Sequence, residues 1–480
     1  MMELRAAIFF LFLYYIRPQD WISGMEGFNI VRPMILAWIL TLFASRDRRA
    51  ATKFFVTPHD WLMLVYLVYV VWNAPDPKEA IMGFLPLVLF YGLTVQSLSR
   101  WEDVLTYLKA WNIMLLGIAG IAVASLYGMD FTGAAELTEQ NRGRLCIGTW
   151  LHDNPNALGH SVIVVLPLSY MLYFWRGSLM GRLVIFPAQA ALAIYCTLRT
   201  ESKGSFVVGG LLFVLIYVIG RPLLVRFFAL ALAATVGVSA LATLPRMSEM
   251  GRLRADEAVQ GRLMAWDQAR MVVKNHDTGV GWKQFTAFIT WERETFEKAT
   301  HSSYVKVSAD LGIYGLAIYL ASLWAAFRST TSLHRLTRKD DLQERCRRIL
   351  ILILSAYAAS SWMINREYHT EYFLIVAVAG AIHRLGLRAE ADQVAEAELE
   401  IDEAEQQSAE VLPVPSGAGL VHEQALPHVE KQGGDMDPLA EAPSRHLWAK
   451  LGILDFAACA GLTWSVLYVW DYILKTLYAA

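Results

Sequence analysis

A histidine followed by two serines stands where a polar segment of the chain gives way to an apolar one. Residues 301–316 read HSSYVKVSADLGIYGL, so His301, Ser302 and Ser303 precede a long apolar run. Serines at the start of a helix can cap its free amides, and a helix N-terminus carries partial positive charge. Such a terminus attracts an anion and keeps a nearby imidazole neutral, and a neutral imidazole can accept a proton from a hydroxyl group. The cluster therefore predicts a proton acceptor beside an anion site at the end of a membrane helix, with Ser302 as a candidate ligand of the substrate.

Basic residues recur in the segments that the topology derived below places on the same side as His301. Those singled out as candidate ligands of a diphosphate are Arg262, Lys203, Arg199 and Arg366. Lysine and arginine are normally scarce in external loops of membrane proteins, so their presence needs a reason. Arginine binds phosphate through two parallel hydrogen bonds and keeps its charge at physiological pH. The plainer interpretation is that Lys203 and Arg199 extend their charges from helix ends to the interface.

Arg262 lies in a segment with helical spacing. In residues 255–273, ADEAVQGRLMAWDQARMVV, the side chains of Leu263, Trp266, Ala269 and Val273 share one face. The segment is too short and too polar for a span, which predicts a helix on the membrane surface. On such a helix Arg262 either contacts substrate or forms an ordinary surface ion pair. Gly279-Val280-Gly281 then allows a tight turn and is only a weak sign of phosphate binding.

Two other external segments carry polar side chains. Residues 152–160, HDNPNALGH, contain an Asn-Pro-Asn run that is typical of a turn and a helix cap. We nevertheless keep Asn156 as a candidate ligand of the glycan or diphosphate, and His152 and Asp153 remain able to touch a sugar. Residues 365–372, NREYHTEY, add Arg366 and further polar groups to the same side.

The elements that must position these residues follow from composition. The chain has 480 residues, 55% of them hydrophobic and 18% charged, with a mean hydropathy of +0.36. Its net charge of −2 and the lack of a basic aromatic stripe exclude a nucleic-acid binder. Apolar runs that are continuous rather than alternating predict membrane helices, not a β-barrel. The runs lie near 6–16, 29–44, 60–74, 80–98, 105–127, 157–175, 182–199, 205–220, 222–244, 304–327, 349–364, 371–386 and 451–475.

The predicted fold is therefore all-α and polytopic, with about twelve transmembrane helices and an additional C-terminal one. Basic residues in 45–60 and 328–348 place both segments in the cytoplasm, together with the N-terminus. The same count places 128–156, 200–204, 245–303 and 365–370 outside. Segment 245–303 is then one large periplasmic loop that contains short helices. The N-terminal apolar run is interpreted as an uncleaved first span because it lacks a small-residue cleavage site.

Three regions follow from the change in composition along the chain. Residues 1–386 form the membrane domain, residues 387–446 an acidic cytoplasmic linker, and residues 451–475 the last transmembrane helix. The four cysteines lack the spacing of a metal site, and no metal or other cofactor is expected. A Cys146–Cys196 pair remains open, although buried cysteine more often acts as a small apolar residue.

The motifs in residues 150–320 resemble those of the bacterial O-antigen ligase and polymerase family, in the same order. Ser202-Lys203-Gly204 is similar to its Ser-Arg-Gly turn, with lysine in place of arginine. Gly261-Arg262, with Trp266 and the later Gly-Val-Gly, resembles its loop motif. His301-Ser302 with Gly312-Ile313-Tyr314-Gly315 resembles its histidine motif, in which asparagine often stands where this chain has serine.

The resemblance implies a metal-independent glycosyltransferase of the bacterial inner membrane, with its active site on the periplasmic side. The donor would be a glycan on a polyprenyl carrier such as undecaprenyl diphosphate, as in lipopolysaccharide biosynthesis, and the acceptor a hydroxyl of a lipid, glycan or protein. By this resemblance His301 is the general base or positions the acceptor. Arg262, together with Lys203 and Arg199, stabilises the departing diphosphate.

Three alternatives stay open. A repeat-unit polymerase would use the same donor but a second lipid-linked glycan as acceptor. A polysaccharide transporter or flippase would need ionisable groups at bilayer depth and often internal repeats, and no such repeat stands out. A membrane scaffold with an acidic tail would leave the external cations unexplained.

Overall fold

The regular structure of the chain is helical. The computed structural model describes residues 2–25, 30–44, 55–217, 222–243, 257–293, 299–410 and 451–478, and every regular element in these ranges is a helix. Seven of these helices are long and apolar enough to cross a membrane, and three shorter ones are also apolar. The predicted all-α polytopic membrane fold is confirmed, whereas the number of about twelve spans stays a prediction.

The first half of the chain forms helices whose starts are set by proline and capping residues. Pro77 and Pro155 each begin a helix, after Asp76 and Asn154, whose side chains accept hydrogen bonds from the first free amides. The helices are α1 (Met2–Tyr15), α2 (Val31–Ala44), α3 (Pro58–Trp72), α4 (Pro77–Ser97), α5 (Trp101–Ser125), α6 (Ala134–Gln140), α7 (Pro155–Phe174), α8 (Gly181–Thr200), α9 (Lys203–Tyr217) and α10 (Leu223–Thr243).

The second half combines long helices with two short ones. They are α11 (Glu257–Asn275), α12 (Phe285–Arg293), α13 (Ser303–Ser332), α14 (Asp341–Ser360), α15 (Thr370–Glu410) and α16 (Ile453–Ile473). The apolar part of α15 is almost entirely buried, so it lies at the centre of the bundle. The helix continues through the first part of the acidic segment, and residues 411–446 of the predicted linker lie outside the described residues.

Helix α13 runs from one end of the helix bundle to the other. Its 30 residues correspond to about 45 Å, so His301 before its start and Arg328 near its close lie far apart. We call these the His301 end and the Arg328 end. At the His301 end the Ser303 amide donates to the Ser361 carbonyl oxygen at 2.7 Å, and the Arg366 guanidinium donates to the carbonyl oxygen of Ala157 at 2.7 Å. The starts of α7 and α13 therefore meet there with the segment between α14 and α15.

Helix α13 is interrupted, and the loop after α11 fills the interruption. Gly312 has a φ of 68° and breaks the helical hydrogen bonding. The amides of Val280 and Gly281 donate to two carbonyl oxygens of α13 at 3.1 and 2.8 Å, and the Ile313 amide donates to the Asp277 carbonyl oxygen at 3.0 Å. The loop thus pairs with the backbone groups around the interruption. Because these two loop amides already have partners, they are not free to bind phosphate.

Glycine is required on both sides of this contact. A Cβ atom on Gly279 would lie 2.4 Å from the Asp310 carbonyl oxygen, and one on Gly312 would lie 2.0 Å from the Asp277 carbonyl oxygen. Both glycines also have positive φ, which other residues adopt only with strain. The Gly-Val-Gly motif and the glycine of the histidine motif are therefore two halves of one structural contact.

We predict that Gly312→Ala lowers the free energy of unfolding by about 2–4 kcal/mol, because the backbone strain adds to a steric clash. The matched control is Gly210→Ala, whose added Cβ meets no atom within 4 Å. Thermal unfolding of both variants in detergent measures the difference. Equal melting temperatures for the two variants would show that this contact does not hold the loop against α13.

Candidate functional site

Ser302 begins α13 as predicted. Its Oγ accepts a hydrogen bond from the Val305 amide at 3.5 Å, which makes it the helix cap. The same hydroxyl donates to the Ser361 carbonyl oxygen at 3.1 Å and is buried. Ser302 therefore fixes the start of the helix. Because His301 directly precedes Ser302, its backbone is fixed as well.

His301 is a half-buried imidazole held in an uncommon backbone conformation. Its φ is 47°, in the left-handed region that a residue other than glycine rarely adopts. Burial, and then the positive charge of Arg262, lower the pKa of His301 to about 4. The ring is therefore neutral and proton-accepting at physiological pH, as expected. The structure attributes this to burial and Arg262 rather than to the helix terminus.

Helix α11 places Arg262 beside His301. The apolar face predicted from the sequence is confirmed, since Leu263, Trp266 and Ala269 are buried. The Trp266 indole donates to the Thr300 carbonyl oxygen at 2.7 Å, so the helix is tied to the residue before His301. Arg262 lies one helical turn before Trp266 and is near enough for its charge to act on the His301 ring.

The turn between α8 and α9 presents Lys203. Glu201 closes α8 in a left-handed conformation, and Lys203 is the first residue of α9. Helix α7 approaches this turn so closely that a Cβ on Gly159 would lie 2.5 Å from the Ser205 Oγ. The position of Lys203 therefore depends on having glycine, which has no side chain, at position 159.

His160 packs against the turn that contains Lys203. Its Nε2 lies 2.7 Å from the place of a Cβ on Gly204, next to Lys203. Its Nδ1 shares a hydrogen bond of 2.9 Å with the Ser360 Oγ, while Nε2 has no hydrogen-bond partner among the described residues. His160 therefore joins α7 to the Lys203 turn on one side and to the last residue of α14 on the other.

Arg366 is part of the same region but is engaged inside the protein. Its guanidinium forms an ion pair with Glu371 and donates to the Ala157 carbonyl oxygen and the Ser161 Oγ, each at 2.7 Å. A cavity of about 10 Å³ borders His160, Arg366 and Glu371, which is at most the space of one water molecule. These contacts favour a positioning role for Arg366 over direct binding of phosphate.

Arg199 and Asn156 lie at the edge of this region. The Arg199 side chain is exposed, and its charge reaches Tyr127. The Asn156 Oδ1 accepts a hydrogen bond from Arg144 at 2.8 Å, and Arg144 also donates to the Thr200 carbonyl oxygen at 3.0 Å. Asn156 therefore helps to attach the loop before α7 to the Lys203 turn.

Sequence reasoning did not single out His160 or Glu367. His160 lies one helical turn after Asn156 in the segment of residues 152–160. This spacing was the signal that could have identified His160. Glu367 is buried and its Oε2 has no hydrogen-bond partner in the described ranges. Burial raises the pKa of Glu367 to about 7, and Lys306 lies close enough to oppose this effect. Glu367 is thus a further titratable group at the His301 end.

The four cysteines are all buried and unpaired, so the possible Cys146–Cys196 disulfide is absent. Within the described ranges no group of three or more His, Cys, Asp or Glu side chains is arranged for a metal ion. The groups that the site does contain are a neutral imidazole, a guanidinium and an ammonium. Such a set can accept a proton and stabilise an anionic leaving group.

One comparison with known proteins gave a match. Residues 188–320 match the family model described as O-antigen ligase, and this range contains Lys203, Arg262 and His301. A comparison with curated proteins gave no match. The resemblance seen in the motifs is confirmed over residues 188–320, which are similar to the O-antigen ligase family.

Proposed function

We propose that the protein transfers a glycan from a polyprenyl diphosphate to an acceptor hydroxyl at the periplasmic face of the bacterial inner membrane. The family match supports a ligase-like or polymerase-like transferase in general. One observation supports the specific reaction most strongly. Helix α11, which carries Arg262, is bonded to the residue before His301 through the Trp266 indole and the Thr300 carbonyl oxygen at 2.7 Å, and burial together with the charge of Arg262 keeps the His301 ring neutral.

The reaction uses these groups in separate roles. The acceptor hydroxyl gives its proton to the neutral His301 imidazole while its oxygen attacks the anomeric carbon of the donor sugar. The bond from that carbon to the diphosphate oxygen breaks with its electron pair, and the carbon inverts. Arg262 and Lys203 stabilise the charge that develops on the diphosphate. The proton on His301 then passes to solvent.

The donor itself makes His301 a better base. Arg262 lowers the pKa of the free ring because a positive charge disfavours the imidazolium. A diphosphate bound to Arg262 brings negative charge that offsets this effect. The pKa of His301 then rises towards its ordinary value, and proton transfer becomes more favourable when the donor is present.

Ligase and polymerase differ only in the acceptor. The acceptor is a lipid, glycan or protein hydroxyl in one case and a second lipid-linked repeat unit in the other. Incubation of the purified protein with a defined polyprenyl-diphosphate glycan and each acceptor, followed by product analysis, separates them. Glycan joined to a non-carrier acceptor supports the ligase that we propose, whereas lengthened glycan still on the carrier supports the polymerase.

We expect His301→Ala to abolish transfer while the protein remains in the membrane at its normal level, because no other group replaces the proton acceptor. His276→Ala is the matched control, since His276 is an exposed histidine one residue beyond the end of α11. Transfer from a defined lipid-linked glycan is measured for both. Wild-type transfer by the His301 variant refutes the role of this ring.

Arg262→Lys should lower transfer by about 100-fold or more, because lysine keeps the charge but loses the two parallel donors of the guanidinium. The control is Arg142→Lys, which changes an exposed arginine in the loop before α7. Initial rates at saturating acceptor give the comparison. If the two variants transfer glycan equally well, Arg262 is an ordinary surface charge.

Arg262→Gln should raise the pKa of His301 from about 4 part of the way to its ordinary value, since burial remains after the charge is removed. Titration of isotope-labelled histidine by NMR in detergent measures this pKa, with the His301→Ala spectrum used for assignment. An unchanged pKa would show that the guanidinium does not reach the ring.

A further inference from the structure

The C-terminal helix α16 is joined to the end of α13 at the Arg328 end. Asp455 in its first turn forms an ion pair with Arg328 and accepts a hydrogen bond from the Trp324 indole at 3.0 Å. Its carboxylate also caps the helix by accepting from the Gly452 amide at 2.8 Å. Because Asp455 is almost fully buried, these contacts fix where α16 starts.

The other end of α16 packs on the helix that carries Arg262. Trp470 and Leu474, each 2% exposed, belong to one apolar cluster with Leu263, Trp266 and Val273 of α11. Val305 of α13 joins the same cluster. Helix α11 is therefore held from two sides, and the face that the sequence marks as apolar is covered in part by the last helix of the chain.

A salt bridge joins the same two helices. The Arg270 guanidinium pairs with the Asp471 carboxylate, which also contacts the Lys475 ammonium at 2.6 Å. Arg270 follows Arg262 by eight residues on one helix, or about 12 Å. A shift or rotation of α11 at Arg270 would therefore move the guanidinium of Arg262 as well.

We propose that α16 is a positioning element for the transfer reaction: Asp471, with Trp470 beside it, holds α11 so that Arg262 reaches both His301 and the donor diphosphate. This inference rests on the proposed function for its effect on turnover. The family match ends at residue 320, well before α16. The contacts of α16 thus give a role to a helix that the match leaves without one.

The test places a positive charge at position 471. Asp471→Arg removes the attraction to Arg270 and adds repulsion, so α11 moves and transfer falls about tenfold. This loss is smaller than the roughly 100-fold that displacement of a catalytic group can cost, since the apolar contacts remain. Lys475→Ala is the matched control, because it removes the other partner of Asp471 and leaves the bond to Arg270. It should transfer glycan at the wild-type rate.

A charge exchange separates positioning from simple damage. In the Lys475→Ala background, Arg270→Asp together with Asp471→Arg restores the attraction with the charges reversed. We expect transfer within about threefold of the control, although either single reversal in the same background is about tenfold slower. The comparison is restricted to variants whose melting temperature and amount in the membrane match those of the control. A double variant that is no faster than the single ones overturns the proposal.

The NMR titration of His301 gives a readout that does not depend on turnover. If Asp471→Arg displaces Arg262, the pKa of His301 rises from about 4, and the charge exchange returns it. An unchanged pKa in Asp471→Arg overturns the positioning role even if the proposed transfer is correct. A shifted and restored pKa supports positioning even if His301→Ala shows that the proposed transfer is wrong.

Discussion

The arrangement depends on holding the positive charge of Arg262 close to the His301 imidazole ring. Arg262 lies on α11, a polar helix outside the spans, so the bilayer itself does not fix it. Its position comes from the Trp266 indole bonded to the Thr300 carbonyl oxygen and from the glycine contact between the following loop and α13. Ser302 then fixes the start of α13, and His301 takes its strained conformation between these fixed points.

Electrostatics link these positions to chemistry. In a partly buried site a guanidinium acts strongly on its neighbours, because water screens the charge less than at the surface. Burial is the larger cause of the low pKa of His301 in the free protein, and the charge of Arg262 adds to it. In the proposed reaction this charge also attracts the diphosphate, and the bound diphosphate offsets the effect of Arg262 on the ring. The proposed reaction thereby couples donor binding and proton transfer through one side chain.

Much of the fold could be predicted from the sequence because continuous apolar runs indicate membrane helices. The buried face of α11 and the cap at Ser302 were also predictable, since both follow from spacing within one helix. The ordered motifs located Lys203, Arg262 and His301 within one family domain.

Contacts between distant segments were not predictable in the same way. Arg366 stood among the candidate phosphate ligands because its type and side were right, yet its guanidinium is bonded to Glu371 and to α7. The Gly-Val-Gly motif predicted a tight turn, and the structure adds that Gly279 is needed for close approach to α13. The role of His160 could not be predicted because it depends on a contact with Gly204, which is 44 positions further along the chain.

The most direct measurement is a structure of the protein with a polyprenyl diphosphate bound. The account predicts that the diphosphate oxygens lie within about 3 Å of both the Arg262 guanidinium and the Lys203 ammonium, a normal hydrogen-bond distance. It also predicts that the His301 ring faces the first sugar. A diphosphate bound elsewhere, with Arg262 and Lys203 free of it, would contradict the account.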